Sequence, residues 1–179
     1  MKDVPTAIED LDIEFVKLKD GLHTFRYTLG KLFFEAFENT EVLDARVELD
    51  IALEKFPAMI HVQLHAYGTI QLPCDRCLEG INMPVDTQYR LVYKLLTDGE
   101  RVTESDSQEL IFLKPQEIRI NLAQPVYESV LLDVPMIRNC DGLENKPCNQ
   151  EMLKKLDEIN QSGDGDPDPR WDKLKDLLK

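Results

Sequence analysis

Between residues 43 and 95 the chain alternates apolar and polar side chains in three long runs. Leu43, Ala45, Val47, Leu49 and Ile51 are interleaved with Asp44, Arg46, Glu48 and Asp50. After Phe56-Pro57, Ile60, Val62, Leu64, Ala66, Gly68, Ile70 and Leu72 are interleaved with His61, Gln63, His65, Tyr67, Thr69 and Gln71. A third run, 81–95, puts Met83, Val85, Tyr89, Leu91, Tyr93 and Leu95 on one side. Period two over such lengths fits antiparallel strands with one buried and one wet face; a helix would scatter the same residues around its circumference. The second and third runs are joined by Pro73-Cys74-Asp75-Arg76-Cys77-Leu78-Glu79-Gly80, a hairpin loop that holds a C-x2-C pair.

Other elements frame this meander. Runs 11–19 and 22–28 are β-rich and flank Asp20-Gly21, whose residue types suit a type I′ turn, so a first hairpin is expected there. Leu29, Leu32, Phe33, Ala36 and Phe37 fall on one face of a short amphipathic helix ending near Glu38-Asn39. Residues 97–109 are polar and acidic and read as a surface loop, followed by a short edge strand at 110–113. From Asn121, Val126, Tyr127, Val130, Leu131 and Val134 form a helical stripe that tolerates Pro125 in its first turn and is closed by Pro135. Met152, Leu153, Leu156 and Ile159 suggest another helix, 161–169 is a breaker-rich linker, and Asp168 with Pro169 is a candidate N-cap for a last short helix bearing Trp171, Leu174 and Leu178. The expected fold is α+β: a curled, barrel-like antiparallel sheet of five or six strands with two packed helices and a helical C-terminal tail. Residues 1–138 form the main domain and 139–179 a cysteine-bearing loop and tail that wraps back towards the hairpin.

At 179 residues, such a chain builds one core and folds without a disulfide or metal. No apolar run approaches a membrane span, and the opening MKDVPTAIEDLDIEF lacks the apolar stretch of a signal peptide. A reducing cytoplasm is therefore expected, with four cysteines serving as thiols or metal ligands. The net charge of −13 is unevenly spread. Residues 1–59 carry 7 − 13 = −6, residues 98–117 carry 2 − 6 = −4, and residues 139–179 carry 7 − 10 = −3, while 60–97 balances at 3 − 3. No basic stripe is present to displace phosphate counterions, which argues against sequence-independent RNA or DNA binding.

Cys74-x2-Cys77 has the geometry of half a zinc site, and Cys140-x7-Cys148 could supply the other half as a closed, structural, all-thiolate tetrahedron. The second spacing is loose, so four ordinary reduced cysteines remain the competing reading. Thioredoxin-like redox chemistry is a third reading. It needs a helix N-terminus beside the attacking thiol, and this pair instead joins two strands next to Asp75. His61 and His65 share a strand face but lie about 13 Å apart at roughly 3.3 Å per residue, too far to chelate one ion. His23 has no partner in view. Asp164, Asp166 and Asp168 superficially open a calcium loop, but the sixth position is Pro169 and the twelfth Lys175, so the helix-cap reading wins.

Taken in order, Gly68 leading into Cys74-Asp75-Arg76-Cys77-Leu78, the helix ending in Leu132-Asp133-Val134-Pro135, and a tail with Cys140, Cys148 and Asp168-Pro169-Arg170-Trp171 resemble the YceD family, the large ribosomal RNA subunit accumulation proteins. Gly142-Leu143 also matches the family's tail, which often carries a denser cysteine cluster than the single Cys148 that follows here. The resemblance implies a cytoplasmic, non-enzymatic factor supporting accumulation or processing of the large-subunit (23S) ribosomal RNA. Its expected partners are ribosomal proteins or the large-subunit precursor particle, not DNA or a membrane. Partner binding is expected at Asp75, Arg76, Arg90, Lys94, Asp168, Arg170 and Trp171, with any direct RNA contact weak and confined to the neutral 60–97 surface. A metal- or redox-dependent enzyme using the C-x2-C pair is the alternative; it would need a pocket with perturbed acid–base groups.

Overall fold

The computed structural model describes residues 11–97, 110–143 and 147–162. The three alternating runs become β3 (Asp44–Lys55), β4 (Met59–Pro73) and β5 (Gly80–Leu95), a continuous antiparallel meander. Val47, Leu49, Ile51 and Leu53 of β3, Ile60, Val62, Leu64, Ala66, Ile70 and Leu72 of β4, and Ile81, Met83, Val85, Leu91 and Tyr93 of β5 are all buried. Each fully buried Leu or Ile contributes about 1.5–3 kcal/mol relative to exposure, so one face of this meander dominates folding. Tyr89 keeps the core-side parity yet stays 42% exposed, because parity sets a face while coverage depends on what packs over it. Gly68, at φ +151°, lies so close to β3 that a Cβ there would sit 2.2 Å from the Arg46 carbonyl oxygen; only glycine permits that approach.

The expected first hairpin does not form. Residues 12–13 are β1 (Asp12–Ile13), and Phe15–Lys17 is a single 3-10 turn. The strand after Gly21, β2 (Gly21–Gly30), pairs with β3 and not with the segment before it. β1 instead pairs with β7 (Ile120–Asn121), and Leu11, Ile13, Phe15 and Ile120 are buried together. Burial of those four apolar side chains outcompetes the local turn preference of Asp20-Gly21. β6 (Leu110–Leu113) is an edge strand, as expected, and runs parallel to β5. The main sheet therefore has the order β2-β3-β4-β5-β6; it is curled but open, with β2 and β6 as edges.

Two helices cover the apolar face, α1 on β2 and β3 and α2 on β4 and β5. α1 (Lys31–Glu35) is shorter than the apolar spacing suggests: Leu29 belongs to β2, Leu32 is exposed, and Phe33 and Phe34 are the buried pair. Five residues give too few turns for a stripe to be defined by spacing. α2 (Ala123–Leu132) matches its stripe, with Val126 and Val130 buried and Pro125 in the first turn. Phe37, in the turn after α1, stacks on Tyr127 of α2 at 4.3 Å between ring centroids. The tail contributes α3 (Cys140–Leu143) and α4 (Gln150–Ser162). Met152 and Leu153 of α4 pack on the core, while Ile159 faces solvent.

Candidate metal centre

The loop between β4 and β5 is a tight knuckle. Pro73 pairs with Gly80 at its base, the Cys74 amide donates to the Glu79 carbonyl at 2.8 Å, and the Leu78 amide returns to the Cys74 carbonyl at 2.9 Å. Leu78 takes the left-handed φ of 63° that turns the chain back into β5. Cys74 and Cys77 thereby point to one side, and both are buried.

The segment after α2 is fastened to this loop by Asp75. The Asp75 amide donates to the Arg138 carbonyl at 2.8 Å, and the Arg138 amide donates to the Asp75 carboxylate at 2.7 Å. The Arg138 guanidinium binds the same carboxylate at 3.1 Å and reaches Glu41 at 3.2 Å. Two residues later Cys140 opens α3, whose Gly142 amide donates to the Asn139 side chain at 2.7 Å. Arg76 pairs with Asp141 at 3.0 Å, a second cross-link between loop and tail. Asn149 does two jobs: its oxygen accepts the Glu151 amide at 2.9 Å, capping α4, and its nitrogen donates to Glu79 at 2.7 Å. Cys148 is held between these anchors.

The result is a buried cluster of four sulfurs, all within 4.8 Å of one another. Cys77 Sγ lies 3.6 Å from Cys140 Sγ, and Cys74 Sγ lies 3.8 Å from Cys148 Sγ. A zinc ion with Zn–S near 2.3 Å requires sulfurs about 3.8 Å apart in a tetrahedron, so this donor set fits. It is also closed, since four thiolates leave no position for water or substrate. The sequence reading that Cys74, Cys77, Cys140 and Cys148 can meet is met in space.

The thiols differ in acidity. Burial works to raise Cys74, but amides of Arg76, Cys77 and Cys140 and the Cys140 thiol outweigh it and draw it down to about 6. Cys140 is pushed up, first by burial and then by the Cys77, Cys74 and Cys148 thiols around it. Cys148 is also raised, by burial and by Cys74. Cys74 therefore ionises more readily than Cys140 and Cys148, which hold their protons unless a cation compensates.

Other residues singled out from the sequence lie elsewhere. Arg90 is on the polar side of β5, and the Lys94 ammonium sits 6.0 Å from the centre of the Phe112 ring. Asp168, Arg170 and Trp171 lie outside the described residues, as do the candidate helix around them and residues 98–109 of the acidic loop. The histidines are apart: His65 meets Asp86 at 2.8 Å, His61 meets the Met59 sulfur at 3.2 Å, and His23 meets the Lys19 carbonyl at 2.8 Å. Sequence reasoning missed Arg138, Glu79 and Asn149. Asn149, just before a helical stripe, carries a recognisable cap signal; Arg138 and Glu79 carry none. It also missed that Leu132, Met136 and Ile137, in the stretch leading to Arg138, are left exposed, Met136 by 98%.

No helix among the described residues is long and apolar enough to cross a membrane. The model of one family, described as large ribosomal RNA subunit accumulation protein YceD, matches residues 62–178, or 117 of the 179. That span begins in β4 and takes in the knuckle, both cysteine pairs and the tail. Neither the curated proteins nor the solved structures include a match to this chain.

Proposed function

The chain belongs to the YceD family of large ribosomal RNA subunit accumulation proteins, and from that premise we propose that it is a non-enzymatic, cytoplasmic binding factor for the large-subunit precursor. The single observation that carries this reading is the family match, which runs through both the cysteine loop and the tail fastened to it. Three physical features support it. A net charge of −13 suits association with basic ribosomal proteins better than with bare phosphates. Leu132, Met136 and Ile137 offer exposed apolar contact in the stretch that leads from α2 to Arg138. With one ion held by all four thiolates the buried cluster would be closed, which suits a structural metal and leaves a metal-dependent enzyme no open ligand position.

In this reading zinc, when bound, would cross-link the β4–β5 loop to the tail through Cys74, Cys77, Cys140 and Cys148 and offset two of the four thiolate charges. The chain's own residues do the rest. Cys74 and Cys77 are presented by the β4–β5 turn, and Asp75 and Arg76 clamp the incoming tail through Arg138 and Asp141. Asp75 and Arg76 thus contribute to partner binding by shaping the surface, whereas Arg90 is free to contact a partner directly. The test is depletion in the host. The ratio of mature large-subunit to small-subunit RNA is expected to fall during rapid growth; an unchanged ratio overturns the proposal.

A further inference from the structure

The polar side of the sheet carries a hollow of about 550 Å³, formed by three consecutive residues on each of four strands: 24–26, 50–52, 63–65 and 88–90. The middle residues of β3 and β4, Ile51 and Leu64, have their side chains buried on the opposite face and contribute backbone. Eight of the twelve lining residues have outward parity, Ala52 being the smallest of them, while Phe25 and Tyr89, of core-side parity, also border the hollow. The size lies within the roughly 300–1,000 Å³ of small-ligand sites.

The chemistry of the wall is specific. Arg26 is engaged by Asp50, at 2.6 and 3.2 Å, and His65 by Asp86 at 2.8 Å. Among the described residues, Thr24, Gln63, Gln88 and Arg90 line the hollow with no side-chain hydrogen bond or ion pair. Gln63 faces Arg90 and His65 faces Gln88 across the β4–β5 ladder, which puts Gln88 on the diagonal from Gln63. Cross-strand neighbours lie about 4.5–5.5 Å apart and diagonals about 7–8 Å. Two amides, each both donor and acceptor, are thus spaced to flank a planar hydrogen-bonding ring, with one unpaired guanidinium next to them.

We propose that this hollow binds a nucleotide, its base edge read by Gln63 and Gln88 and its phosphate held by Arg90. Amide side chains pair with base edges through matched donors and acceptors, and guanidinium pairs with phosphate. One unpaired cation, Arg90, beside the mutually compensated Arg26–Asp50 pair suits one phosphate and not a duplex backbone. The source is either a free nucleotide or an unstacked nucleotide of single-stranded RNA, the form in which proteins read RNA sequence. The choice of a nucleotide over another planar anion rests on the proposed ribosomal role. Binding, however, is read on the purified chain, so failure here and failure of the depletion experiment are distinguishable.

The experiment titrates the full chain with the four nucleoside monophosphates and with fluorescent single-stranded RNA tetramers of each base, at several salt concentrations. Arg90→Gln and Ala52→Glu are compared, with thermal melts confirming that both fold. Saturable binding is expected with a log–log salt slope of about −0.7 to −1.4, the signature of one or two phosphates. Arg90→Gln should weaken it about tenfold and flatten the slope, and Ala52→Glu should abolish it. Monophosphates matching the tetramers would identify the free nucleotide as ligand, and a preference for tetramers would identify RNA. The proposal is overturned if neither probe saturates, if binding survives both variants, or if an acidic peptide occupies the hollow where nucleotides do not.

Discussion

Between Asp44 and Leu95 every strand buries one side and closes its backbone hydrogen bonds against neighbours adjacent in sequence. Between Arg138 and Ser162 the described residues are attached mainly by specific contacts instead: a carboxylate–guanidinium clamp, an exposed ion pair, an asparagine bridging to Glu79 and a knot of thiols, with Met152 and Leu153 adding a small apolar contact. The first region draws its stability from apolar area and tolerates the loss of any single polar contact. The second is held by a handful of groups, so removal of one ligand should release it while the sheet persists. Structural metals are well suited to that second kind of job, because their binding free energy is added where packing is thin.

The sharpest way to break the contrast is to damage the sheet itself. Gly68→Ala places a methyl group 2.2 Å from the Arg46 carbonyl and 2.9 Å from the Val47 Cα. A loss of at least about 3 kcal/mol is expected in urea unfolding, with the whole molecule affected, since neither backbone can give way. Cys140→Ser should act quite differently. Bound zinc, near one equivalent in chain purified without chelator, should vanish. Amides of α3 and α4 should exchange rapidly, while β3, β4 and β5 keep their protection. Simultaneous loss of protection in tail and sheet would erase the distinction between the two regions.

Acid should separate them as well. Metal binding needs thiolates, and burial holds Cys140 and Cys148 in the protonated form until a cation compensates. Protons therefore compete with metal as pH falls, and zinc content after dialysis should drop between about pH 8 and about pH 5, with tail order lost in step. A weaker probe is Arg138→Ala, which removes a partly buried clamp on Asp75 and should cost about 1 kcal/mol or less globally while loosening the tail. The smallest effect belongs to Arg26→Ala on the open sheet face. Its pair with Asp50 is solvent-exposed, and circular-dichroism melts of the variant should overlay those of the parent chain.

What could be read from the sequence follows the range of the forces involved. The three long strands were legible because period two is written directly into Val47, Leu49, Ile51 and their counterparts in β4 and β5. The knuckle was legible because Cys74 and Cys77 fall in the loop those strands define. The β1–β7 pair was not, since Ile13 meets Ile120 across more than a hundred residues and no local pattern announces it. Asp20-Gly21 carried a genuine turn preference that this distant pairing overrode. The four thiols were anticipated as a set, yet their convergence depends on Arg138 docking against Asp75, a contact with no sequence signature. The hollow was invisible for a related reason. Ala52, Gln63 and Arg90 share a row only once the register of β3, β4 and β5 is fixed.

Affinity purification of the tagged chain from growing host cells, followed by sedimentation of what accompanies it, tests the central claim most directly. The account predicts that ribosomal proteins and precursor RNA of the large subunit come with the chain and sediment with immature large particles, separately from mature small subunits. A chain that sediments alone under rapid growth, with neither large-subunit proteins nor precursor RNA enriched, would contradict it.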